Sequence, residues 1–241
     1  GQEGDRGWLE NQDLTLQVEE TFNAFELHIH RCTLARGLLN SKTMQTFEAK
    51  VDQQARFYTI RHHSATHLLH AALKKQLGQD VNQQGSLVAP QRLRFDYTFH
   101  RKLSQEEIHS VEDLVNLEIQ KNNPVDTEIK DFEEAKKEGA IALFGEKYDQ
   151  KVRVLSMGSF SKELCGGTHV RATGDIGFFK ILSDSSIAAG VRRIEALASK
   201  PATDYCREQG LNLTQASQLL KSKPEDLCEK IGLLQSDLKQ N

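Results

Sequence analysis

The sequence predicts an α+β protein. It has a small N-terminal antiparallel β-barrel-like unit over residues 1–58, an α/β sandwich core over 59–199 and a helical tail over 200–241. Three observations predict this. Apolar residues alternate along the first stretch, the period lengthens to that of a helix from Ile60, and the composition turns polar and helical from Pro201. In LTLQV, FELHIH and TFEAKV every second residue is apolar. Phe25, Leu27 and Ile29 are thereby set against Glu26, His28 and His30, the pattern of strands with one covered face.

In RHHSATHLLHAALKKQLG, residues 61–78, Ala65, Leu68, Leu69, Ala72 and Gln76 share one side of a helix, while His63, His67, His70 and Lys74 form a stripe opposite. One face is predicted to be buried and the other to turn its imidazoles to a cleft, with Gly78 as the C-terminal cap. GSLVAPQRLRFDYTF predicts a hairpin with Leu93, Phe95, Tyr97 and Phe99 on one side and Arg92, Arg94 and Asp96 on the other. Ser104 and Glu107 form a capping box that opens a helix with Ile108, Val111, Val115 and Ile119 on one face, closed by Asn122, Asn123 and Pro124. A strand VDTEIK, a short helix at EEAKKEG, a strand KVRVL, a CGGTH loop and the strands IGFFKIL and VRRIEAL complete the core. In the tail, Leu227, Ile231, Leu234 and Leu238 step by four, three and four. A surface helix packed on its own domain and the start of a coiled coil share that spacing.

The chain of 241 residues is 38% hydrophobic and 27% charged, an ordinary globular balance with enough apolar material for a core. No run approaches the roughly 20 apolar residues of a membrane span, and GQEGDRGW has no signal-peptide pattern. A soluble, cytoplasmic protein with no membrane partner is expected. Gly1 stands where an initiator methionine would, so the sequence reads as a piece of a longer protein. Cys32, Cys165, Cys206 and Cys228 are scattered with no CxxC, which points to reduced thiols and not to a disulfide framework. A net charge of −3 neither predicts nor excludes a nucleic-acid partner.

Chemistry concentrates in two pairs, His63 with His67 and Cys165 with His169, each four residues apart. Imidazoles at i and i+4 lie one above the other on a helix. Three imidazoles and one thiolate suit zinc, which accepts nitrogen and sulfur in tetrahedral geometry. The pairs are far apart in sequence, so the whole sandwich must bring them together. The zincin pattern requires Glu directly after the first histidine, and Ser64, Ala65 and Thr66 fill that gap instead. A Cys-His nucleophile pair stays open, with no neighbouring Asn or Asp to identify as its orienting group. The glycines between Cys165 and His169 permit close approach by a substrate.

HSATHLLHAAL, VNQQGSLV, LRFDY, ALFGEKYD, VRVLSMG, ELCGGTHV, TGDIG and AAGVRRIEA, in this order between Gly1 and Leu197, together resemble the editing domain of bacterial alanyl-tRNA synthetases. Free-standing alanyl-tRNA editing proteins and the threonyl-tRNA synthetase editing domain share the two metal-type pairs, whereas the flanking motifs favour the synthetase. The resemblance implies zinc held by His63, His67, Cys165 and His169, and hydrolysis of Ser-tRNA(Ala) or Gly-tRNA(Ala). It assigns selectivity to Gln83 and places the hydroxyls of Ser64, Thr66 and Thr168 near the substrate. The implied partner is the tRNA(Ala) acceptor end carrying serine or glycine, with oligomerisation only through the C-terminal region of the parent. Arg94, Arg193 and Arg192, inside family motifs, are the candidates for RNA contact. GQEGDRG matches the end of the family's glycine-rich loop, whose earlier glycines are missing. The aminoacylation core has no counterpart, so charging of tRNA is not expected. Two other readings remain: a zinc-stapled module that binds tRNA without catalysis, and a free-standing editing protein, against which the incomplete glycine loop and the coiled-coil-like tail argue.

Overall fold

The computed structural model describes residues 1–25, 27–40, 42–43, 46–142 and 148–240. Residues 143–147 of the ALFGEKYD motif lie outside the described residues. The chain divides into two compact units, Gly1–Ser199 and Lys200–Asn241.

The alternating N-terminal stretch forms β1 (Gly7–Glu10), β2 (Thr15–Ala24), β3 (Leu27–Arg36) and β4 (Glu48–Val51), an antiparallel sheet in the order β3-β2-β1-β4. Among the described residues β3 and β4 form the two edges of this sheet. The alternation is real, and its predicted face is covered in the LTLQV segment but open in FELHIH. Phe25 sits in the β2–β3 turn in the left-handed region, φ 52°, and is 94% exposed, and Leu27 is exposed beside it. Leu14, Leu16 and Val18 of LTLQV are buried, as their alternation predicts.

β4 runs directly into α1 (Gln53–Leu77), whose N-cap Asp52 accepts from the Gln54 and Ala55 backbone N–H groups. Gly78 closes the helix at φ 115°, donating its N–H to the Lys74 carbonyl. The hairpin β5 (Gln83–Val88) and β6 (Leu93–Thr98) forms as its pattern predicts, with Leu93, Phe95 and Tyr97 fully buried. α2 (Gln105–Gln120) begins on the Ser104–Glu107 capping box, both halves of which are made, and buries Val111, Val115 and Ile119. β7 (Val125–Asp131), α3 (Phe132–Lys137) and β8 (Lys151–Met157) follow, then β9 (Ser161–Leu164), a strand that the periodicity does not announce. β10 (Phe179–Ala188) and β11 (Val191–Ala198) complete a sheet in the order β10-β11-β6-β5, while β7-β8-β9 form a third. Leu68, Leu69 and Leu73 of α1 join Phe95, Tyr97, Val115, Phe179 and Ile194 in one apolar core.

The stripe opposite the apolar side of α1 is covered over most of its length: His63, His67 and His70 are buried, like Leu68 and Leu69, and Lys74 is half-buried. The helix has an apolar back in the core and a polar front enclosed by protein.

The second unit consists of α4 (Lys200–Leu219), a 3-10 turn at Pro224–Asp226 and α5 (Leu227–Gln240). Ile231, Leu234 and Leu238 of the predicted seam are exposed on α5. Among the described residues no helix is long and apolar enough to cross a membrane.

Candidate metal centre

α1 supplies His63 and His67 one turn apart, and the loop that follows β9 supplies Cys165 and His169. One ligand atom from each lies within 4.8 Å of all the others. The rings crowd together, with centroids of His63 and His169 at 4.3 Å and of His63 and His67 at 5.1 Å. Cys165 Sγ lies 3.3 Å from His169 Nε2 and 3.5 Å from His63 Nε2.

The outer nitrogen of each ring shows which nitrogen faces inward. Gln2 Oε1 accepts from the Thr168 backbone N–H at 3.0 Å, so this atom is an acceptor and His63 Nδ1, 2.8 Å away, must donate to it. The Glu163 carboxylate is likewise only an acceptor, so His67 Nδ1 donates to it at 2.7 Å. Ser64 Oγ takes the Val170 N–H at 3.1 Å and has room for a second hydrogen from His169 Nδ1 at 3.2 Å. With Nδ1 of all three rings engaged on the outside, the Nε2 atoms face inward, those of His63 and His169 directly beside the Cys165 sulfur. His67 Nε2 is buried with no hydrogen-bond partner, a loss that a metal ion there would relieve. Three nitrogens with one sulfur are the donor set zinc accepts, and the residues fit such an ion.

The electrostatics describe the cluster with protons in place of a metal ion. Burial disfavours ionisation of the Cys165 thiol, but the imidazoles of His169, His63 and His67 around it outweigh that and bring the thiol down to about 3. Burial also disfavours a charged His67, but Glu163 and Cys165 prevail and push it up, so that a proton and a metal ion compete for the same nitrogen. His62, on the same helix, differs. Burial takes it down to about 4, its Nδ1 donates to the Ala89 carbonyl at 2.8 Å, and it belongs to the packing, not to the cluster.

The loop is held by Arg153, whose Nη1 donates to the Cys165 carbonyl at 3.0 Å and to the Gly167 carbonyl at 2.7 Å. Its two glycines are not equivalent. A Cβ on Gly167 would overlap His63 Cε1 and stand 2.6 Å from His63 Nδ1, whereas one on Gly166 meets nothing within 4 Å. Gly167→Ala is accordingly expected to weaken metal binding about 10- to 100-fold, the cost of losing a partner that orients a ligand. Gly166→Ala should leave it unchanged. Competition with a calibrated chelator reads both.

The other sequence candidates are distributed as follows. Thr168 is at the cluster, its hydroxyl and its N–H both donating to Gln2 Oε1 at 3.0 Å. Ser64 holds His169 and the Val170 N–H. Thr66 is turned away, its hydroxyl donating to the His62 carbonyl one turn back at 2.8 Å. Gln83 opens β5, and its amide donates to Ser86 Oγ at 3.3 Å and not to any of the four cluster residues. Arg192 makes two-pronged contacts with Asp184 (2.7 and 2.9 Å), and Arg193 does the same with Asp96 (2.7 and 2.8 Å). Arg94 Nε is buried and has no hydrogen-bond partner.

Sequence reading missed Gln2 and Glu163, and placed His70 in the imidazole stripe without giving it a role. Gln2 is carried to the site by the N-terminal GQEGDRG segment, which pairs beside β5 through Glu3 N–H to the Val88 carbonyl (2.9 Å) and Val88 N–H to the Gly1 carbonyl (3.0 Å). The segment is tied further by the Arg56–Asp5 ion pair.

Residues 152–195 match the family described as the threonyl and alanyl tRNA synthetase second additional domain. Over 240 residues, all of its length, the chain is 48% identical to an alanine–tRNA ligase of Haemophilus influenzae, of which it covers 27%. It is 47% identical over 231 residues, 96% of its length, to an alanine–tRNA ligase of Shewanella loihica, of which it covers 26%. The chain thus spans about a quarter of the length of these relatives.

Proposed function

We propose that this chain, a relative of the editing region of bacterial alanine–tRNA ligases along its whole length, hydrolyses the ester of mischarged Ser-tRNA(Ala) and Gly-tRNA(Ala) at a zinc site made by His63, His67, Cys165 and His169. One observation carries the reading. Three imidazole Nε2 atoms and one thiolate converge beside Thr168, whose N–H and hydroxyl both point at a single oxygen.

A site that selects alanine discriminates poorly against serine, which adds one hydroxyl, and glycine, which lacks one methyl. A second site is therefore useful. It cannot work by size alone, since one wrong amino acid is larger than alanine and the other smaller. In the hydrolysis, water adds to the aminoacyl carbonyl carbon, the bond to the ribose oxygen breaks, and the free amino acid and the tRNA hydroxyl leave. Zinc, when bound, supplies a Lewis acid that activates water or orients the substrate. The chain's own residues do the rest. Thr168 offers its paired donors to an oxygen of the substrate in place of Gln2 Oε1, and Ser64 steadies His169. His169, on the glycine loop, is the ligand best able to yield a position, because His63 and His67 are fixed by a rigid helix. Gln83 reads the serine hydroxyl from the end of β5. Arg94 and Arg193 contribute positive potential for the acceptor end, and Arg192 holds the strand they share a sheet with.

Native protein should deacylate Ser-tRNA(Ala) and spare Ala-tRNA(Ala). Gln83→Ala should lower serine release about 10- to 100-fold, the worth of one hydrogen bond to a polar group of about 1–3 kcal/mol, with zinc content unchanged. Equal hydrolysis of serine and alanine esters would refute the selectivity.

A second reading is favoured by ligand count alone. Four protein ligands close a tetrahedron, as in structural zinc sites. A non-catalytic tRNA-binding module predicts tRNA affinity without deacylation, so the same assay separates the two.

A further inference from the structure

Glu163 stands behind the cluster on β9 and is 2% exposed. One carboxylate oxygen receives His67 Nδ1–H at 2.7 Å and the other receives His70 Nδ1–H at 3.1 Å, with Ser161 Oγ at 3.5 Å from the latter. His70 is itself buried one turn beyond the cluster, its ring centroid 5.3 Å from that of Phe95, and its Nε2 has no hydrogen-bond partner. A buried carboxylate gripped by two imidazoles needs a reason, because removing a charge from water is costly unless it is paired. Here only one of the two imidazoles belongs to the set of four donors.

Charge counting supplies the reason. A divalent ion held by one thiolate and three neutral imidazoles leaves one unit of positive charge in a buried place. A carboxylate hydrogen-bonded to a ligand neutralises it and fixes the ring that carries the lone pair. We propose that Glu163 is the positioning residue of the metal site. It orients His67 and balances the charge of the loaded cluster, and His70 is the clamp on its second oxygen, not a ligand.

The inference rests on the zinc reading of the cluster, and its test keeps the two apart by measuring metal and not hydrolysis. Zinc affinity of the native chain, Glu163→Gln, Glu163→Asp and His70→Leu would be measured by chelator competition. Spectra of the cobalt-substituted proteins and melting of the metal-free proteins would be recorded in parallel. Glu163→Gln removes the charge with little change of shape and is expected to bind zinc about 10- to 100-fold more weakly, with a shifted cobalt spectrum and a metal-free melting curve close to native. Glu163→Asp keeps the charge but retracts it from His67 and should fall between. It also serves should the glutamine variant not fold. His70→Leu should keep zinc within a few-fold of native, as a clamp and not a ligand requires. A native chain that takes up no zinc overturns the reading of the cluster itself. A zinc-binding native chain matched within about threefold by both Glu163 variants, with unchanged cobalt spectra, overturns the role of Glu163 alone.

Discussion

Replacing Cys165 by alanine is expected to strip the chain of its metal and, with it, of Ser-tRNA(Ala) hydrolysis. The sulfur is the atom on which the cluster converges, with two imidazole Nε2 atoms and the Gly167 N–H within 3.5 Å of it. These neighbours bring the thiol down to about 3 against the effect of burial, which favours the deprotonated sulfur that a metal ion needs. Without it, three neutral imidazoles remain and the soft ligand that favours zinc is gone. Loss of an outer partner of a ligand costs 10–100-fold in affinity, so loss of the ligand itself should cost on the order of 10³-fold or more. Metal content after dialysis against a fixed chelator, with single-turnover deacylation on the same samples, gives the answer. A variant that keeps zinc would remove Cys165 from the ligand set. One that loses zinc yet still releases serine would make the metal a staple and move the chemistry to Thr168 and its neighbours.

The four residues of the cluster were legible because their side-chain types are rare and their spacing is regular, so two short motifs carried them. Their partners were not. Glu163 and Gln2 are ordinary residue types with no spacing rule, and each acts through a contact about 60 to 100 positions away in sequence. The alternation of β9, with Ser161 and Glu163 buried and Lys162 between them less so, was a signal for Glu163, but four residues are too short a run to read. The histidine stripe of α1 shows a limit of a different kind. Periodicity separates two faces of a helix, yet a polar face reads the same whether water or a polar site lies against it. β3 departs for the converse reason, since alternation states that one face is more apolar but not that anything covers it, whereas β2 buries Leu16 and Val18 as its pattern predicts. The hairpin β5–β6 and the α2 capping box were fully legible, because local turn chemistry and the core agree there.

Asp184→Asn is expected to destabilise the Gly1–Ser199 unit by about 3–5 kcal/mol, the usual cost of removing one partner from a buried ion pair. The Asp184 side chain is fully buried and accepts from the Tyr97 hydroxyl (3.1 Å), the Leu103 backbone N–H (3.1 Å) and the Arg192 guanidinium (2.7 Å). It ties β10 to β11, β6 and the loop before α2. An amide in its place leaves the Arg192 cation, 8% exposed, without a counter-charge and turns a donor toward groups that need an acceptor. Asp96→Asn breaks the neighbouring pair with Arg193, which is more open to water, and should cost less, since solvent screens what remains. The contrast sorts the arginines that the motifs nominated for RNA. Adjacent strand residues point to opposite faces, so Arg192 and Arg193 cannot serve the same surface, and burial assigns Arg192 to the fold. Denaturant unfolding of both variants, with tRNA affinity measured across salt on the same proteins, tests that division. If Asp184→Asn leaves stability unchanged while tRNA binding and its salt dependence fall, Arg192 belongs to the RNA surface after all.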